Sequence, residues 1–278
     1  MRIDAHQHYW KLSRGDYGWL TPDMGVLYKD YLPADLEPIL ERHNIDRTVL
    51  VQAAPTVAET DFMLSLAATH ESIGGVVGWL DMADPDFSRL FEKYRKEPAF
   101  VGIRPMLHDL SDDAWVIQPV VLDNLRVLAA HDFPFDFLVR PQHLPHVLHV
   151  LEQVPNLRAV IDHIAKPLIK DQVFEPWGAQ ISAISQHENV YCKLSGMVTE
   201  ADHANWTPAD LKPYVAHTVA CFGLERVLFG SDWPVSLLAA RYDDVIGALE
   251  EILAPGLDEY SRAKVFGGNA ARFYGISL

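Results

Sequence analysis

Cysteine is nearly absent: Cys192 and Cys221 are the only two in 278 residues. Two thiols that each lie against an apolar pattern are expected to stay free and buried, which suits a reducing cytoplasm. Positive charge is scarce as well, with 23 Lys and Arg against 38 Asp and Glu and a formal net charge of −15. A surface of that sign repels phosphate backbones and anionic lipid, so nucleic acid and membranes are not expected as partners. No apolar run approaches the ~20 residues of a membrane span, and Asp4 and His6 interrupt the first apolar stretch, so no membrane helix or secretory leader is expected. Linkers, low-complexity tracts and internal repeats are missing too, and residues 1–278 are expected to form one domain.

What is present is core-forming material, 49% hydrophobic residues arranged in alternating patterns. β-rich runs fall at about 3–8, 47–53, 74–80, 99–104, 135–139, 159–163, 190–195 and 227–231. Helical periodicity falls between them, near 34–43, 58–70, 86–95, 118–131, 142–153, 176–187, 208–222 and 242–253, with a last segment near 258–274. This alternation predicts an α/β chain folded as a (β/α)8 TIM barrel. A doubly wound sheet would alternate too, but no glycine-rich phosphate turn follows the first strand.

The 13 histidines need sorting before any is given chemistry. His43, His70, His131 and His187 each end a helix just before a strand, where an imidazolium suits the helix dipole, so they are expected to cap. His143, His146 and His149, spaced by three after Pro141, are expected on the solvated face of an outer helix. The stretch 9–31 is irregular yet carries Tyr9, Trp10, Tyr17, Trp19, Tyr28 and Tyr31. Such a loop inside a barrel is expected to cover the C-terminal mouth as an aromatic active-site loop.

That mouth is where the remaining polar residues collect. His6 and His8 alternate along the first strand, so both project from one face, roughly 7 Å apart at Cα, with Asp4 of the same parity one pair deeper. The fourth strand ends in Arg104-Pro105, the fifth in Arg140 and the sixth in Asp162-His163. The seventh offers Lys193 and Ser195, and the eighth ends in Ser231-Asp232-Trp233-Pro234. His108 follows in the loop after the fourth strand. Each alone is a common loop-edge residue; together they ring the mouth with His, Asp, Arg and Lys.

The set His6-x-His8, His163 and Asp232 resembles the amidohydrolase superfamily over essentially the whole chain, including the tail Val265-Phe-Gly-Gly-Asn-Ala-Ala-Arg272. More narrowly, four stretches are similar to the branch of lactonases acting on sugar lactones and on 2-pyrone-4,6-dicarboxylate. They are Ile3-Asp-Ala-His-Gln-His-Tyr-Trp10, Gly102-Ile-Arg-Pro105, Ile161-Asp-His-Ile-Ala-Lys-Pro167 and Phe229-Gly-Ser-Asp-Trp-Pro234. The pattern departs from many relatives in having no bridging Lys or Glu on the fourth strand and Arg140 in place of a histidine on the fifth. A two-metal site is therefore not expected. One Zn²⁺ on His6, His8, His163 and Asp232 is chemically suitable. The branch is understood to include members that need no metal, and no strictly required cofactor is expected here.

The resemblance implies hydrolysis of an aldono lactone, of fucono, galactono or rhamnono type and with a 1,4- or 1,5-ring, to the free acid. Asp232 would take the proton of water, and His6, His8 and His163 would polarise the carbonyl, each such donor being worth about 3–4 kcal/mol. The alternative for Asp232 is capping of the following helix. Arg104 is the leading candidate for substrate binding, the alternative being a salt bridge to Asp136 or Asp162. Arg140, Lys193 and His108 are further candidates. Trp10 and Trp19 offer faces to sugar C–H groups, the alternative being a hydrophobic plug. A zinc-dependent decarboxylase and a non-catalytic barrel that binds a sugar acid are the competing readings. Whether the protein forms a homo-oligomer is left open.

Overall fold

The computed structural model describes residues 1–277. Eight parallel strands form one sheet in sequential order. They are β1 (Ile3–Gln7), β2 (Arg47–Val51), β3 (Ile73–Gly78), β4 (Phe100–Ile103), β5 (Phe135–Phe137), β6 (Ala159–Ile161), β7 (Val190–Leu194) and β8 (Val227–Phe229). The sheet closes on itself: Asp232 N donates to His6 O at 2.8 Å and His8 N to Trp233 O at 2.7 Å. These eight runs were expected within a few residues, and the chain is the single-domain (β/α)8 barrel that their spacing predicts.

The outer ring comprises α1 (Pro33–Arg42), α2 (Val57–Ala67), α3 (Phe87–Tyr94), α4 (Pro119–Ala130), α5 (Leu144–Gln153), α6 (Trp177–Ile184), the short α7 (Met197–Glu200), α8 (Pro208–Phe222) and α9 (Tyr242–Leu253). The expected last helix is broken into α10 (Glu259–Ala263), a wide turn Lys264–Gly268 and α11 (Asn269–Tyr274). Gly267 lets the backbone pack against Met1 and Arg2, where a Cβ would stand 3.0 Å from Arg2 Cα, and α11 then delivers Phe273 and Tyr274 into the barrel. There they pack in one buried cluster with Ile3, Ala5, Val49, Val77, Val160 and Leu228.

Two expectations fail for local reasons. Asp4 does not share a face with His6. A bulge between Asp4 and Gln7 inserts an extra residue in β1 and flips the alternation. Asp4 instead meets the Tyr242 hydroxyl of α9 at 3.1 Å and accepts from the Ser231 and His6 backbone amides. His143 is not on a solvated face either: it is buried, accepting from Arg140 N at 3.0 Å and lying 3.0 Å from Asp113. The Pro141–His143 turn precedes α5 and rotates the imidazole inward.

The helix-end histidines do more than answer a dipole. His43 meets Asp243 at 2.6 Å, His70 meets Glu37 at 3.1 Å and His131 meets Glu92 at 3.0 Å, each tying a helix end to a neighbouring helix. Cys192 and Cys221 are both free, the first buried and the second partly so.

Candidate active site

Past the bulge, β1 aims His6 and His8 into the mouth, with their rings edge to face at 5.0 Å. The His163 ring lies 4.3 Å from that of His6. It arrives there because residues after β6 turn left-handed: His163, Ile164, Ala165 and Lys166 have φ of 53°, 48°, 61° and 50°. For non-glycine residues that conformation costs about 1–2 kcal/mol each, so the surrounding packing must hold it. Asp232 follows β8 in the same region, at φ 58°. Two glycines make room for the imidazoles. A Cβ on Gly196 would stand 2.5 Å from His163 Nδ1, and one on Gly230 would stand 2.7 Å from His6 Cβ.

Asp232 Oδ1 is the point of convergence, 3.3 Å from His8 Nε2 and 3.8 Å from both His6 Nε2 and His163 Nε2. Its side chain therefore faces the imidazoles instead of capping a helix. Burial lowers the pKa of His6 and His163 well below the ordinary value, helped by Lys193 near His6 and by His6 near His163. Both are neutral near pH 7 and can offer lone pairs. His8 must donate Nδ1–H to the Val51 carbonyl at 2.7 Å, because a carbonyl only accepts. Its Nε2 then turns a lone pair toward the Asp232 carboxylate, an arrangement that calls for a proton or a cation between them. The buried triads His6–His8–Asp232 and His6–Asp162–His163 each bring their donor atoms within 4.8 Å. The residues present thus fit one divalent cation of the zinc type.

Beneath the imidazoles lies a fully buried ionic layer. Lys193 Nζ is 2.5 Å from Asp136 Oδ2, 3.0 Å from Asp162 Oδ1 and 3.2 Å from His6 Nδ1. Tyr274 donates to Asp136 at 2.7 Å from below. Burial drives the Asp136 carboxyl up despite Lys193, whereas for Asp162 Lys193 and Arg104 outweigh burial and hold it down. Arg104 lies above, with Nη1 3.3 Å from both Asp162 Oδ2 and His6 Nε2 and Nη2 donating to the Gln52 carbonyl.

The mouth opens into a cavity of about 240 Å³ lined by His8, Arg104, His108, His163, Lys166 and Asp232, with Trp19 on its wall. Of the residues expected to meet a substrate, Arg104, His108 and Trp19 line it. Lys193 and His6 sit below, wholly buried. Arg140 is exposed and outside the lining. Trp10 is buried, donating to Lys29 O and packing on Trp19 and Tyr31, the plug that its alternative described. The sequence assigned no role to Lys166, which reaches the cavity through the left-handed turn and pairs with Glu200 at 2.6 Å. Glu59 was also missed. It accepts from the Ala53 and Ala54 amides and so supports the turn after β2. The run Thr56-x-x-Glu59 signals a helix start, and Thr56 does cap α2 through Glu59 N, but the carboxylate reaches past the cap.

A family model described as amidohydrolase matches residues 3–276. The L-fucono-1,5-lactonase of Burkholderia ambifaria is 42% identical over 279 residues, covering 99% of this chain and 96% of that protein. The L-fucono-1,5-lactonase of Burkholderia multivorans is 35% identical, again covering 99% and 96%. The crystal structure of a Burkholderia multivorans amidohydrolase with bound zinc superposes with a TM-score of 0.95 at 34% identity over the full length of both chains.

Proposed function

The chain belongs to the amidohydrolase family, and we propose that it hydrolyses a sugar lactone, of fucono, galactono or rhamnono type, to the free sugar acid. The observation that carries this reading is one carboxylate, Asp232, ringed by three imidazoles at the floor of a cavity that Arg104 and Lys166 also line. The two L-fucono-1,5-lactonases to which the chain is similar support the substrate class.

In the proposed reaction Asp232 accepts a proton from water as that water attacks the lactone carbonyl carbon. Charge gathers on the carbonyl oxygen, where the Arg104 guanidinium donates to it; losing such a donor commonly costs about 3–4 kcal/mol. His163, its Nδ1 turned to Ser195 at 2.8 Å, presents Nε2 to the same region. His8 has committed its Nδ1–H to Val51, so its Nε2 is left to share a proton or a cation with Asp232. As the bond from the carbonyl carbon to the ring oxygen breaks, Asp232 returns the proton to that oxygen. Lys166 and Arg104 offset the charge of the carboxylate formed, and Trp19 offers its face to the C–H side of the ring.

His6, His8, His163 and Asp232 would hold one Zn²⁺, which supplies Lewis-acid polarisation of a carbonyl when bound. The lone pairs facing each other at His8 and Asp232 favour such an ion, whereas the sequence alone led us to expect none to be required. A cytoplasmic location remains our reading; no helix among the described residues is long and apolar enough to cross a membrane.

The test is a pH-indicator screen of aldono-1,4- and 1,5-lactones that includes L-fucono-1,5-lactone, run before and after chelation. Proton release from at least one lactone is expected, with loss on chelation and recovery on adding Zn²⁺. Silence on every lactone sinks the hydrolase reading. Release of CO₂ from an aromatic acid by the zinc-loaded protein would install the decarboxylase in its place.

A further inference from the structure

The catalytic cavity has a larger neighbour that the proposed chemistry does not use. A second cavity of about 510 Å³ shares Trp19, Met106 and Asp109 with the first and adjoins it. A single lactone ring fits the inner space of about 240 Å³, while pockets that enclose larger ligands run to about 300–1,000 Å³. The outer space is therefore available to whatever the lactone carries.

Its walls specify the chemistry of that substituent. Trp79, Trp115 and Trp19 supply flat apolar faces, and Asp16, Asp81 and Asp109 supply carboxylates; no Lys, Arg or His lines it. An anionic group is thus opposed, and a plain hydrocarbon would leave the carboxylates unused. The indole N–H groups make the same point. Trp10, Trp19, Trp177 and Trp206 each donate to a backbone carbonyl, whereas Trp79 and Trp115, like Trp233 outside this cavity, donate to no acceptor among the described residues. Asp16 Oδ1 is buried and likewise has no partner among them, although Oδ2 is held by Arg14 and Thr56. Asp81 and Asp109 likewise each spend one oxygen, on Ala83 N and beside His108 Nε2 at 3.2 Å. Flat apolar faces beside carboxylates that each keep one oxygen without a partner among the described residues match a neutral sugar ring, whose C–H faces stack and whose hydroxyls donate.

We propose that the outer cavity is a second sugar subsite, and that the protein hydrolyses lactones bearing a neutral glycosyl substituent, the oxidised ends of disaccharides. The proposal rests on the lactonase reading. Water adds to the lactone carbonyl carbon, the bond from that carbon to the ring oxygen breaks, and the ring oxygen takes the proton. The glycosidic bond is untouched, and the second ring serves only to bind.

Two measurements test it. The first compares kcat/KM for 4-O-β-D-galactopyranosyl-D-galactono-1,5-lactone with that for D-galactono-1,5-lactone, with L-fucono-1,5-lactone as the small reference. The disaccharide lactone is expected to be favoured about tenfold, the factor that 1.4 kcal/mol of added binding provides. Trp79→Ala and Trp115→Ala should each reduce that ratio toward one and leave the rate on the small reference unchanged. The second is a tryptophan-fluorescence titration with methyl β-D-galactopyranoside, which needs no turnover. Saturable quenching is expected in the wild type, weakened in Trp79→Ala, with none from methyl β-D-glucuronide, whose carboxylate the three aspartates repel. A ratio of one or less, unmoved by either substitution, overturns the proposal, as does the absence of a saturable galactoside signal. If no lactone is turned over, the hydrolase reading fails by itself, and the titration still decides whether the outer cavity binds a sugar.

Discussion

At the floor of the barrel, Phe273 and Tyr274 lie among Ile3, Val49, Val77, Val160 and Leu228, all of them buried. At the mouth, the same strands bury Asp136, Asp162 and Lys193 completely and Arg104 almost so. The floor gains about 1.5–3 kcal/mol for each large apolar side chain it hides. The mouth gains little on balance, because desolvating paired ions costs about as much as their attraction returns. It also holds four consecutive residues, His163 to Lys166, at positive φ. Stability is supplied from below, and the expense above is intelligible only as chemistry. Tyr274 joins the two ends, one face in the apolar cluster and its hydroxyl on Asp136.

The largest expected effect falls on the mouth. Asp232→Asn keeps the shape and removes the base we propose, so kcat on the accepted lactone should fall by about 10³–10⁴, in the upper range for a general base. The melting temperature should stay within a few degrees of wild type, because the side chain stabilises no packed core. A variant that folds and keeps its rate would remove Asp232 from the mechanism and with it the contrast between the two ends.

Two substitutions of similar size distinguish the ends by how they can be repaired. Phe273→Ala should cost about 3–5 kcal/mol through the cavity it leaves, read by urea denaturation, with normal kcat for the molecules that remain folded. Lys193→Met should cost about 3–5 kcal/mol because it strands the carboxylates of Asp136 and Asp162 without their cation. Adding Asp136→Leu should recover much of that loss. No second substitution of a neighbouring charge should rescue Phe273→Ala. Equal rescue of both, or of neither, would show that the mouth's charges are not mutually dependent.

The barrel itself was legible because strand and helix periods differ and each run was bounded by turn residues. The floor was legible only as composition, since nothing local says that a chain end will turn inward at Gly267-Gly268. At the mouth, residue types at strand ends identified His6, His8, His163, Asp232 and Arg104, but not their depth. Parity along β1 misplaced Asp4, because a single inserted residue inverts a face and leaves no mark in the sequence. Lys166 escaped notice because its position depends on a left-handed run of non-glycine residues, which local propensity argues against. Lys193 and Arg140 were equally plausible as strand-end cations. One proved wholly buried and the other exposed, a difference set by which carboxylates the barrel brings beside them.

The smallest effect concerns a mouth carboxyl that escapes the ionic expense by staying uncharged. Burial pushes the Glu59 pKa up to about 8 in spite of the Ala53 and Ala54 amides that it accepts from. In the unfolded chain the group ionises near its ordinary value of 4.5, so between that pH and 8 the folded protein binds the extra proton. Its contribution to stability is thus fully present below pH 4.5 and is lost as the pH rises toward 8. Glu59→Gln retains an acceptor for both amides and cannot ionise. Over the window from about pH 6 to pH 8 the wild type should lose about 2–3 kcal/mol relative to the variant, at 1.36 kcal/mol per pH unit. Urea denaturation of both proteins at each pH measures that divergence. Parallel curves would mean that Glu59 is ionised in the folded state, and that the turn carrying Ala53 and Pro55 rests on a buried charge like the rest of the mouth.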